Sequence, residues 1–209
     1  MNTIKATVET ELIVSEDGVH TYEVIKRLPE IQGDCGYLIS LYPTRNATNI
    51  FSNDSTLNHI VNHLPELGLG EIHLINLFSK VVQGKMSTRG LTVDADNMEY
   101  IDSLISNPKF QSGKFIVAWG NSMANSKAVA EAKEEILKMY STRCPGGKLY
   151  QLAVQGRKIA GDSVPHPLYL GIRAGNAVWE LQEYMIPDQA KQAATTTKQV
   201  VAAKKPRKK

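Results

Sequence analysis

The chain reads as an α/β protein: a three-layer α/β/α sandwich built on a mostly parallel four-stranded sheet, preceded by an N-terminal β-hairpin. Three observations predict this. Tyr37–Leu41 (YLISL), Glu71–Phe78 (EIHLINLF), Lys114–Ala118 (KFIVA) and Leu149–Val154 (LYQLAV) are short apolar runs bounded by turn residues, as strands buried on both faces are. Stretches with helical periodicity separate them, so right-handed crossovers should set them parallel. Ahead of them, Lys5–Val14 and His20–Leu28 are β-prone and flank Glu16-Asp17-Gly18, a hairpin turn signal.

Each helix has its own pattern. Ser55 is placed to cap a helix in which Leu57, Ile60, Val61 and Leu64 make one apolar stripe, ended by Pro65, Gly68 and Gly70. Met98, Ile101, Leu104 and Ile105 predict a short helix closed by Asn107-Pro108. After the third strand, Trp119-Gly120 turns the chain, and Asn121 or Ser122 caps a helix running to about Tyr140. That reading puts backbone N–H groups at the carboxyl edge of the sheet, where open α/β sheets bind ligands. Gln155–Gly171 reads as a loop, and Ala174–Met185, with Val178, Leu181 and Tyr184, as a last helix.

Residues 1–187 are expected to form one domain, with the hairpin in residues 1–30. Its composition is 42% hydrophobic and 22% charged over the 209 residues, that of a globular protein with one sizeable core. No apolar run has membrane-spanning length and the N-terminus lacks a signal-peptide core, so a cytoplasmic protein without membrane contact is expected. Cys35 and Cys144 are far apart and suit free thiols in a reducing compartment. His20, His59, His63 and His73 lack zinc-ligand spacing with partners, so no structural metal is expected. P-loop, dinucleotide-binding and nucleophile-elbow motifs are absent, and no cofactor is predicted.

The net charge of +3 is unevenly spread. From Gln189 onward the chain holds seven basic residues and no acid, which leaves −4 for the rest. This Ala/Thr/Gln/Lys-rich segment, residues 188–209, is expected to be disordered. Its end, with Lys204, Lys205, Arg207, Lys208 and Lys209, suits either a nucleic-acid-binding arm or a solubilising tail.

Four tetrapeptides follow the carboxyl ends of strands or close the last loop: YPTR, NLFS, WGNS and HPLY. In a parallel sheet they should meet at one edge. His166, between two prolines, is held stiffly enough to donate to an oxyanion, or else staples a loop to the core. Arg45 can clamp a phosphate and Asn46 can read a base edge, whereas Asp54 suits a helix start. Asn76 ends a buried strand and must find partners, either on a base or on a neighbouring loop. Phe78, Trp119 and Tyr169 can stack a base or pack in the core, and Tyr42 and Asn121 complete the ligand-facing set.

Tyr42-Pro43-Thr44, Asp54-Ser55-Thr56, Asn76-Leu77-Phe78, Trp119-Gly120 and His166-Pro167-Leu168-Tyr169-Leu170 occur in that order. From Tyr22 to Tyr184 the chain resembles an uncharacterised bacterial and phage family marked by Asn-Pro-Ser-Thr, Asp-x-Thr, Asn-Leu-Phe, Trp-Gly and His-Pro-Leu-Tyr. That family is more distantly similar to the uracil-DNA glycosylase superfamily. The resemblance implies that Tyr42-Pro43 occupies the water-activating loop and Ile116–Gly120 the Trp-Gly strand. It also implies that His166 is the residue that stabilises the departing base. Tyr42 departs from the pattern, which has Asn or Asp before the proline. The reading is therefore recognition of a nucleobase, nucleotide or nucleic acid without uracil excision. The alternatives are a non-catalytic protein-interaction module, phage-encoded in one version, and an enzyme acting on a modified base or small nucleotide.

Overall fold

The structure is a computed structural model and describes residues 1–46, 48, 50–158 and 163–186. The expected disordered tail and its basic cluster lie outside the described residues. Among the described residues seven strands form one sheet: β1 (Glu9–Val14), β2 (Thr21–Arg27), β3 (Asp34–Ser40), β4 (Leu69–Asn76), β5 (Lys114–Val117), β6 (Leu149–Val154) and β7 (Trp179–Glu183). Their spatial order is β1-β2-β4-β3-β5-β6-β7. This corrects the expectation of a mostly parallel four-stranded sheet. β4, β3, β5 and β6 are parallel, while β1–β2, β2–β4 and β6–β7 pair antiparallel, so the sheet is mixed.

Two features overturn the expected topology. The hairpin does not stand in front of the sheet: β2 pairs with β4 from Glu23↔Ile75 to Arg27↔Glu71 and extends it. At the other edge, the segment read as a last helix is β7. Its Trp179 and Leu181 alternate inward between exposed Glu180 and Gln182, a period of two that outweighs the looser helical spacing. The helix lies just upstream, α5 (Pro167–Ala174), with Pro at its first position, where a missing N–H costs nothing.

The remaining helices are α1 (Ser55–His63), α2 (Ala95–Ile105), α3 (Pro108–Gln111) and α4 (Lys127–Arg143). Asp54, not Ser55, caps α1 by accepting from Leu57 N at 2.8 Å. The helix expected from Asn121 or Ser122 starts later, at Lys127, because Met123 takes a left-handed φ of 62° that no α-helix accommodates. Its cap residue, Ser126, makes no side-chain capping bond, so the anion-binding helix start expected beside Trp119-Gly120 is absent there.

Side-chain alternation divides the core in two. Tyr37, Ile39, Ile75, Phe115 and Val117 pack with α2, α3 and α4. Leu38, Leu74, Ile116 and Leu152 pack with α1 and α5. Trp179 closes this second layer: it is fully buried, stacks on His63 at 3.9 Å and donates from Nε1 to Ala174 O at 3.1 Å. Among the described residues no helix is long and apolar enough to cross a membrane.

Trp179 anchors β7 to both β6 and α5. Trp179→Ala should therefore cost about 3–5 kcal/mol in unfolding free energy, read from urea denaturation, as truncation of a buried aromatic does.

Candidate functional site

β3 and β4 each end an apolar run on a polar residue. Parallel pairing sets Ser40 of β3 directly beside Asn76 of β4. Leu38 and Leu74, two residues earlier, face α1 and α5, so Ser40 and Asn76 face the same layer. There they form part of the wall of a cavity of about 670 Å³ at the carboxyl ends of the parallel strands. Val24, Leu57, Leu74 and Met86 supply apolar wall, while Tyr42–Arg45, Asp54, Ser122, Met123, His166 and Tyr169 also line it. All four tetrapeptides thus contribute to one cavity.

Asn76 is 2% exposed, and its Nδ2 has no hydrogen-bond partner. Its backbone carbonyl accepts from Asn97 Nδ2 at 2.8 Å, which fixes the strand end against α2. A buried amide without a partner costs about 1–3 kcal/mol.

His166 is the N-cap of α5, and Leu168 N–H donates to its Nδ1 at 3.2 Å. Nδ1 is therefore the unprotonated nitrogen, and Nε2–H donates to Ser40 Oγ at 2.9 Å. In this tautomer the Ser40 hydroxyl accepts from His166 and keeps its own proton to donate elsewhere. Burial lowers the His166 pKa to about 4, only partly offset by the Asp54 carboxylate, so the ring is neutral at pH 7. Gly120 makes this placement possible. It adopts φ 67°, and a Cβ there would lie 2.9 Å from His166 Cβ.

The rim holds the remaining polar groups. Arg45 donates from Nη1 to Ser52 Oγ at 3.1 Å, and its buried Nε has no partner. Tyr42 donates to Gly84 O at 3.3 Å, which ties the YPTR loop to the long loop after β4. Val82 N, donating to Pro43 O at 3.0 Å, adds a second tie. Tyr169 lies on the rim under the Arg173 guanidinium, 4.3 Å from the ring centroid. Asp54 accepts from Thr44 Oγ1 at 2.5 Å while capping α1.

Four residues expected to face the ligand do not line the cavity. Phe78 and Trp119 are buried with α2 and α4, on the other side of the sheet. Asn121 donates to Ser163 Oγ at 2.9 Å and tethers the loop before α5. Asn46 accepts from Thr48 Oγ1 at 2.6 Å, within its own loop. Ser40, in turn, was not singled out from sequence, although a serine ending the apolar run YLIS carries the same signal as Asn76.

A second polar cluster, on the opposite face, has the chemistry of metal ligands: the Cys35 thiol, the Glu71 carboxylate and the His73 ring.

Residues 24–168 match the model of a family described as a protein of unknown function, DUF1643. The chain belongs to this family. No curated protein and no solved structure matches it. The DUF1643 region runs from β2 into the first turn of α5. It contains Ser40, Tyr42, Asn76 and His166 and omits all but the first two residues of α5 and all of β7.

Because His166 is neutral in the fold but takes a proton near pH 6.5 when unfolded, its contribution to stability is present above about pH 6.5. It is lost as pH falls towards 4. His166→Asn keeps a capping oxygen and cannot titrate. Between pH 7 and 4.5 the wild type should lose more stability than this variant, measured from urea midpoints.

Proposed function

We propose that the cavity at the ends of β3 and β4 recognises a nucleobase or nucleotide, free or within nucleic acid, and that the protein does not excise uracil. The Asn76 amide carries this reading: it is buried, lacks a partner and sits on the cavity wall. A turn of the Asn76 amide toward the cavity, with the Ser40 hydroxyl beside it, gives the wall two donors for a ligand edge bearing acceptors. The apolar wall around them suits a flat ring, and Arg45 at the rim suits a phosphate. The resemblance to the glycosylase superfamily supports the same ligand class.

The geometry argues against excision. A departing base anion needs a donor free to meet it, and the Nε2–H of His166 is engaged by Ser40. Attack needs an oriented water, and Tyr42 directs its hydroxyl to Gly84 O. Loss of one such group costs roughly 100- to 1000-fold in rate. The specific observation favouring a second reading, a protein partner, is the apolar rim of Tyr169 at 53% and Ile172 at 72% exposure.

Calorimetry with uracil, guanine, their nucleosides and nucleotides, and short single- and double-stranded DNA and RNA tests the proposal. At least one should bind, and Asn76→Ala should weaken it about tenfold or more, the loss expected for a buried donor. Binding by none, or binding indifferent to Asn76, rejects the nucleobase cavity. Uracil-containing DNA should stay intact, and excision abolished by His166→Ala would overturn the non-catalytic part. Removing residues 189–209 should flatten the salt dependence of nucleic-acid binding if that segment contacts phosphate.

A further inference from the structure

We propose that Cys35, Glu71 and His73 bind a divalent transition-metal ion, zinc being the one their donor set suits best. The site lies on the α2/α3 face of the sheet, on the other side from the nucleobase cavity, and is independent of that reading. Glu71 and His73 stand two residues apart on β4 and so share a face, and the parallel register puts Cys35 of β3 beside Glu71. The thiol sulfur, a carboxylate oxygen and a ring nitrogen all lie within 4.8 Å of one another. Around tetrahedral zinc, with bonds of about 2.0–2.3 Å, such atoms sit about 3.3–3.8 Å apart. Side-chain rotation of about 1 Å closes the difference. Nitrogen, sulfur and oxygen together favour zinc over calcium or magnesium, which take oxygen alone.

The outer contacts are those of a metal-bound histidine. His73 Nδ1 donates to Glu23 Oε1 at 2.7 Å, and Glu23 Oε2 accepts from Tyr100 OH at 2.7 Å. Both Glu23 and His73 are buried. This carboxylate–histidine pair fixes the ring and presents Nε2 to Glu71 Oε1 at 2.8 Å. Without metal, both ring nitrogens donate to carboxylates. On loading, the ion displaces the Nε2 proton and the thiol proton, so two positive charges enter and two protons leave. The charge of the site is unchanged.

Arg27 Nε at 2.8 Å and Lys109 Nζ at 3.2 Å also touch Glu71 Oε1. Lys109 is 56% exposed and free to turn to water or to Oε2, now at 3.4 Å. Arg27 keeps its ion pair with Glu11. Three protein ligands leave a fourth position for water on the partly exposed side of Glu71.

The test uses the full chain, reduced, stripped with EDTA and titrated with Co²⁺. Expected are one-to-one saturation, a thiolate-to-cobalt charge-transfer band in the near ultraviolet, and the strong visible bands of tetrahedral cobalt, bleached by Zn²⁺. Cys35→Ser should abolish the ultraviolet band and Cys144→Ser should leave it. Glu23→Gln should keep the band and weaken affinity about 10- to 100-fold, as loss of an outer-shell carboxylate does. Only the pale spectrum of hydrated cobalt, or a band that survives Cys35→Ser, overturns the site. X-ray absorption of the zinc-loaded wild type, with one sulfur at about 2.3 Å, decides it even if Cys35→Ser fails to fold. A zinc shell without sulfur also overturns it.

Discussion

The register between β3 and β4 decides what both faces of this sheet can do. Asp34–Ser40 runs parallel to Leu69–Asn76, and that pairing continues past the strand ends through Leu77 N and Phe78 N, which donate to Ser40 O and Leu41 O. At the carboxyl end the register brings a hydroxyl beside an amide on the α1/α5 face. Near the amino end it brings a thiol beside a carboxylate on the opposite face. A slip of one residue would exchange the faces of every side chain on one strand. Leu38, Ile39, Leu74 and Ile75 prevent it, because each is buried in a different layer from its chain neighbour.

His166 shows how a structural duty restricts chemistry. Its Nδ1 lone pair holds the first turn of α5, and its other nitrogen holds Ser40. A histidine so engaged cannot take the proton of Ser40, so the pair is not a nucleophile and its base. What it supplies is a hydroxyl held in place as an acceptor, with its own proton not used on the ring. In the proposed function, such fixed donors in a mostly apolar wall would bind a ligand at little entropic cost.

The four inner strands are plain in the sequence because strands buried on both faces leave uninterrupted apolar runs. The edges are not plain. β7 is half-exposed, and Val178, Leu181 and Tyr184 imitate helical spacing, while the stronger sign, Trp179 and Leu181 in alternation, is only two residues long. The start of α4 is hidden in the sequence because Asn121 and Ser122 have capping chemistry, and nothing local announces that Met123 turns left-handed. Asn76, Arg45 and His166 stand out as polar residues at strand ends or between prolines. Phe78 and Trp119 did not join them, since the face a ring takes depends on where its strand stops. β4 stops at Asn76, and the next residues, Leu77 and Phe78, both turn to the α2/α4 layer. Of the Cys35–Glu71–His73 cluster only the Glu71/His73 pair, two apart on β4, is local; Cys35 joins it once two distant segments pair.

Gly120 couples two sequence motifs sterically. Its left-handed turn and the absence of a side chain are both needed for the His166 backbone and ring to settle against it. The glycine of Trp-Gly and the histidine of His-Pro-Leu-Tyr, distant in the chain, therefore face a shared constraint. A smaller residue in place of His166 would relax the packing demand on position 120, though its left-handed turn would still favour glycine. With the histidine present, glycine is required on both counts.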